Sequence, residues 1–170
     1  MYFLVVRLPE RSKRVRVRAG LVSAYESFKQ ECISVYLACF VNSYPAELPR
    51  ELLDRNRFRE FFKGPYSQDQ TKWDAVANGL NDYRVKTLVV ELEILMNEIH
   101  YTLSAVDVAD PKAYAFFKHL SQILYRSKNW SANYDDIKSM LGFLWSVHTG
   151  WSPIEGYLQK DVVQDMIDAL

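Results

Sequence analysis

The stretch KWDAVANGLNDYRVKTLVVELEILMNEIHYTLSAV, residues 72–106, decides the fold class. Trp73, Val76, Leu80, Leu88, Leu92, Leu95, Ile99, Leu103 and Val106 recur three or four apart, with one interval of eight between Leu80 and Leu88, and stay in phase, the spacing that stacks side chains on one helical face. Thr71 and Asp74 open the stretch as an N-terminal pair. The period predicts one helix over 72–106, about 50 Å long at 1.5 Å per residue, with Gly79 or Asn81-Asp82 as the places to bend. Arg84 falls inside the apolar stripe. A kink that lets its guanidinium reach water is favoured over a buried pair, because unpaired buried arginine is rare.

Downstream, Asp110-Pro111 is an N-cap with proline at the first helical position, and predicts a helix to about Ser127 that buries Ala113, Phe116, Phe117, Leu120, Ile123 and Leu124. Asn133, Asp135 and Asp136 open the next helix, which buries Ile137, Met140, Leu141 and Leu144 and closes near Gly150. Ser152-Pro153-Ile154-Glu155 reads as a capping box for a short helix, and Asp161 caps a last one through Val163, Met166, Ile167 and Leu170.

Upstream, Pro49 to Lys63 reads as a single helix closed by Gly64-Pro65. Ser23-Ala24-Tyr25-Glu26 matches a capping box and predicts a helix from there to Asn42. Residues 1–20 are read as a basic N-terminal arm in front of a helical domain over 21–170. Within the arm, Tyr2 to Leu8 and the alternating Arg14-Val15-Arg16-Val17-Arg18 form either a short β-hairpin or the frayed start of the following helix. The sum is an all-α chain: a bundle of about six helices around one long central helix, with a short N-terminal β-hairpin or extended arm. No repeat or low-complexity linker divides the chain.

Composition supports this class and narrows function. The chain has 170 residues, of which 49% are apolar and 25% charged, enough to fill a core and too apolar for disorder. No apolar run approaches the roughly 18 to 20 residues of a membrane span, and Met1 to Val6 lack the flanks of a secretory signal. Charge sums to zero, yet residues 1–63 hold 12 basic and 7 acidic side chains and the remainder 9 and 14. Cys32 and Cys39, seven apart in a helix, are too far apart to bond and read as buried thiols of a reducing compartment.

Catalytic patterns fail one after another. There is no G-x-S-x-G elbow, no phosphate-cradling glycine loop and no Arg-x(4 to 6)-His pattern of helical nucleases upstream of His100, His119 or His148. Glu91, Glu98, His100 and His119 are the candidates for a bundle-type metal site. Glu98 and His100 are two apart and point about 200° apart around a helix, which is wrong for joint ligation. No metal and no cofactor is expected. Trp145, His148 and Trp151 read as a helix end packed under aromatic rings around Gly150, ahead of a pocket.

The sequence points instead to a non-enzymatic interaction or oligomerisation module. Its expected interface is the almost wholly apolar CISVYLACFV, with Ile33, Tyr36, Leu37, Phe40 and Val41 facing a second copy or a protein partner. The alternative is an anion-binding arm built on Arg11, Arg14, Arg16 and Arg18, preceded by an apolar stub, the order found on the cytoplasmic side of a membrane anchor. If residues precede Met1 in the natural protein, this domain would be their cytoplasmic part. Anionic lipid ranks ahead of nucleic acid as the arm's partner, since no nucleic-acid motif accompanies the charge. The expected location is the cytoplasm, with the inner face of a membrane as the location under the alternative.

Overall fold

The computed structural model describes residues 2–152, 154–158 and 160–170, with side chains from Glu10 onward. The described chain is an all-α bundle with one small two-stranded ribbon. Helix α1 spans Tyr2–Ala38, α2 Leu48–Glu51, α3 Arg55–Lys63, α4 Lys72–Gly79, α5 Asp82–Ala105, α6 Pro111–Ser127, α7 Tyr134–Thr149 and α8 Val162–Asp168. The ribbon joins β1, Trp151–Ser152, to β2, Gly156–Tyr157, antiparallel, with Trp151 opposite Tyr157.

The spine is the pair α1 and α5, which pack along each other. Leu21, Tyr25, Phe28, Cys32, Tyr36 and Leu37 of α1 are buried, as are Val85, Leu88, Leu92, Leu95, Met96 and Ile99 of α5. Gly20 permits close approach: a Cβ there would stand 3.2 Å from the Glu98 carboxylate. Helix α6 lies against α5, and α3, α4 and α7 close the other end of the core.

Several expectations are corrected. The arginine stretch is helix, not strand, and α1 runs unbroken across residue 20. Ser23 and Glu26 lie inside α1 rather than at its start. A Ser-x-x-Glu spacing caps only where the preceding backbone leaves the helix, and here it does not. The helix expected over Pro49 to Lys63 is two, because the Asp54 carboxylate accepts from the backbone N–H groups of Asn56 and Arg57 and starts α3 afresh. The ribbon lies at 151–157, where a short helix was expected at Ser152; Pro153 of that motif lies outside the described residues.

The long helix is likewise two, broken at Leu80 and Asn81, whose ψ angles are 122° and 175°. Thr71 and Asp74 form a reciprocal capping box at the start of α4, and Asn81 caps α5 by accepting from the Arg84 N–H. The expected break leaves Arg84 half-exposed, and its guanidinium is also engaged. Its Nη1 donates to the Gly79 carbonyl at 2.7 Å and its Nη2 to the Ala38 carbonyl at 2.8 Å. One guanidinium thus satisfies the unpaired C-terminal carbonyls of two helices, with its charge at their negative ends. Gly79 is required there, since a Cβ would come within 2.4 Å of the Cys39 carbonyl oxygen. The expected starts of α6 at Asp110-Pro111, α7 at Asn133 and α8 at Asp161 are observed, as is the left-handed Gly150 that ends α7 at φ 66°.

Candidate functional site

The apolar segment expected to face a partner is mostly interior. Ile33, Tyr36 and Leu37 are fully buried by this chain's own helices, and only Phe40 and Val41 are half-exposed. Tyr36 sits at the centre of an aromatic cluster, edge-on to Phe62 at 5.9 Å, Trp73 at 5.2 Å and His148 at 5.5 Å. Much of this apolar surface is covered within the chain, by α2, α3, α4, α5 and α7, while Ala38 at the helix end is exposed. Ile33, Tyr36 and Leu37 are therefore withdrawn as interface residues.

His148 belongs to this core. Its ring stacks on Phe58 and its Nε2 lies 3.3 Å from the Tyr36 hydroxyl. Burial, helped by the Lys29 charge, pushes the imidazole down to about 3, so it is neutral at physiological pH. Burial raises the Cys32 thiol strongly and takes Cys39 up to about 11, which leaves neither a ready thiolate. Beside this cluster, Asp161 accepts from the Lys29 ammonium at 3.1 Å and from the Tyr25 hydroxyl at 3.1 Å while capping α8. The same carboxylate thereby fixes α8 to α1.

The metal candidates are dispersed. Glu91 of α5 is half-buried and faces Glu31 of α1, and burial with that neighbouring charge raises its carboxyl. Glu98 lies against Gly20, while His100 and His119 are exposed on different helices. Among the described residues no three His, Cys, Asp or Glu side chains are grouped to hold a metal ion.

The basic segment has a definite geometry. Every residue from Glu10 to Arg16 is exposed, and Val17 is the first buried one among the described side chains. Seven consecutive exposed residues cover all sides of a helix, so this part of α1 extends beyond the packed body. From Val17 to Ala38 the helix runs about 33 Å alongside its neighbours. Between Glu10 and Arg18 lie five basic side chains and one acidic. Arg14 donates to the Asp107 carbonyl at 2.9 Å and Arg18 pairs with Asp168 at 2.7 Å, which brace the helix where it leaves the body. Arg11, Lys13 and Arg16 have no hydrogen bond or ion pair to any described residue. At 100° per residue Lys13 and Arg16, three apart, share one side of the helix and Arg11 lies on the opposite side.

Two clefts flank the ribbon. The larger, about 760 Å³, lies between α4 and α7 and is walled by Trp73, Tyr134, Trp145, Trp151 and Tyr157. The smaller, about 470 Å³, lies among α6, α7 and α8 with His119 and Asp161 at its edge. Its serines are committed to the backbone: Ser146 donates to the Phe143 carbonyl, and Ser152 accepts from the N–H groups of Ile154 and Glu155. Neither the clefts nor the size of the aromatic cluster is legible in residue spacing, since the walls come from segments up to 87 positions apart, Gln70 to Tyr157.

Comparison with family models, with curated proteins and with solved structures finds no match to this chain.

Proposed function

We propose that this protein is a helical domain held at an anionic membrane surface by the extended N-terminal part of α1. The observation that carries the reading is that Glu10 to Arg16 are exposed on every side of a continuous helix while Arg11, Lys13 and Arg16 lack partners in the described chain. A helix lying flat on a surface segregates its cations to one face. Cations on opposite sides instead suit a helix that enters the headgroup layer end on, where anionic groups surround it. The preceding sequence, Tyr2-Phe3-Leu4-Val5-Val6, is apolar and places greasy residues beyond the arginines, on the side toward the acyl chains. The Arg14 and Arg18 contacts support the helix at its exit, so the bundle is carried as one body.

No described helix is long and apolar enough to cross a membrane, so the contact proposed is with the surface and its interfacial layer. Sedimentation of the full chain with vesicles tests it. Vesicles containing phosphatidylglycerol bind the protein at low salt and release it as salt rises, and phosphatidylcholine vesicles bind it far less. Equal binding to both vesicles, or none to either, overturns the reading. Binding to a random-sequence oligonucleotide with no binding to vesicles would transfer the contact to nucleic acid and overturn it equally.

A further inference from the structure

The cleft between α4 and α7 combines three properties that the fold itself does not require. The first is aromatic walling: Trp73, Tyr134, Trp145, Trp151 and Tyr157 come from four separate segments, and Tyr134 is 77% exposed although large and apolar. The second is an excess of donors. The indole N–H groups of Trp73, Trp145 and Trp151, the hydroxyls of Tyr134 and Tyr157 and the Lys138 ammonium make no hydrogen bond to any described residue. The one carboxylate on the wall, Asp74, is engaged through one oxygen: its Oδ2 accepts from both the N–H and the hydroxyl of Thr71. The third is Gly142. It sits inside α7, where glycine is a poor helix former, and a Cβ built on it meets no atom within 4 Å. Packing within the chain does not call for a glycine there; an approach to the cleft floor from outside does.

We propose that this cleft binds a proline-rich segment of a partner protein in the polyproline II conformation. Such a segment offers a row of carbonyl acceptors and, at its prolines, no N–H donors, the complement of a donor-rich wall. Its pyrrolidine rings fit between aromatic faces, and its preformed backbone loses little entropy on binding. Charge sets the direction of the flank. Arg59 and Lys63 stand over the Tyr157 ring at 4.7 and 4.8 Å, and neither pairs with a carboxylate among the described residues. An acidic residue at the Tyr157 end of the segment meets these two cations.

The test is fluorescence titration of the full chain with two synthetic peptides, octaproline and octaproline ending in two glutamates. Both quench or shift the tryptophan emission at saturable concentration, the acidic peptide binding more tightly. Gly142→Leu fills the cleft and weakens both by about tenfold or more, as does Trp151→Ala. Circular dichroism melts check that each variant stays folded, and Gly142→Leu, which gains helix propensity, retains or raises its melting temperature. Arg59→Ala/Lys63→Ala removes the advantage of the acidic peptide and leaves octaproline binding unchanged. Absence of saturable binding up to millimolar peptide overturns the proposal. So does peptide binding that folded Gly142→Leu leaves intact, and so does binding of cellohexaose in place of the peptides, which would make the cleft a sugar site.

Discussion

The imidazole of His148 lies flat on the ring of Phe58, with centroids 4.5 Å apart and planes 4° from parallel. A neutral imidazole suits that position, and a protonated one would be a buried charge without a carboxylate among its ring neighbours. The folded histidine titrates near 3 and the unfolded one near 6.5. Between those values the unfolded chain binds the extra proton, so this group's contribution is complete above about pH 6.5 and is lost as pH falls toward 3. The slope reaches at most about 1.4 kcal/mol per pH unit. Urea titrations across this range should show His148→Phe with a shallower pH dependence than wild type, at a modest cost at neutral pH from losing the Tyr36 contact.

Two helical glycines should respond oppositely to alanine. Gly79→Ala drives a methyl against the Cys39 backbone, which stands 2.4 Å away, and should cost about 1–3 kcal/mol. Gly142→Ala adds a methyl in open space and should stabilise by up to about 1 kcal/mol. Thermal melts of the two variants measure both.

Arg84 ties the ends of α1 and α4 through two carbonyls. Arg84→Ala leaves both acceptors without this donor and should cost about 1–3 kcal/mol, a fall in melting temperature of roughly 2–12 °C for a chain of this size. Arg84→Lys, which can reach one carbonyl but not both in a fork, should fall between. Equal stability of wild type and Arg84→Ala would remove the staple from the account.

Asp161 serves Lys29, Tyr25 and the N-terminus of α8 together. The Lys29 and Asp161 side chains are 11% and 18% exposed, so breaking the pair strands a mostly buried charge. Asp161→Ala should cost about 3–5 kcal/mol, and Lys29→Met, which keeps the stem and leaves α8 capped, should cost less. Hydrogen exchange should show α8 losing protection first in Asp161→Ala.

Much of the fold was legible where a cap and an apolar period agree. Asp110-Pro111, Asn133 and Asp161 each start a helix whose apolar stripe begins within a turn, and Gly150 ends one in the only backbone region that calls for glycine there. Ser23 misled because the cap pattern was present without a break in the helix before it. Arg14 to Arg18 misled for another reason: alternation mimics a strand, but only Val17 of that stretch is buried, so no second face exists to enforce the period. The apolar stripe of residues 72–106 continues across Leu80, so its period predicts one helix with a bend at Gly79 or Asn81-Asp82, and the bend is a full break there. The apolar run from Cys32 to Val41 carried no signal of what covers it. Its cover comes from Phe58, Phe62, Trp73 and His148, distant in sequence and brought together only by the packed fold.

The central claim concerns the unpaired cations of the extended helix. The decisive measurement is the partition coefficient onto phosphatidylglycerol vesicles at low salt for wild type, for Arg11→Ala/Lys13→Ala/Arg16→Ala and for Arg14→Ala/Arg18→Ala. At about 1 kcal/mol for each basic residue near the surface, the triple variant should bind about a hundredfold more weakly. The double variant, whose arginines already contact Asp107 and Asp168, should lose much less. A triple variant that partitions like wild type, with its fold intact by circular dichroism, would contradict the account.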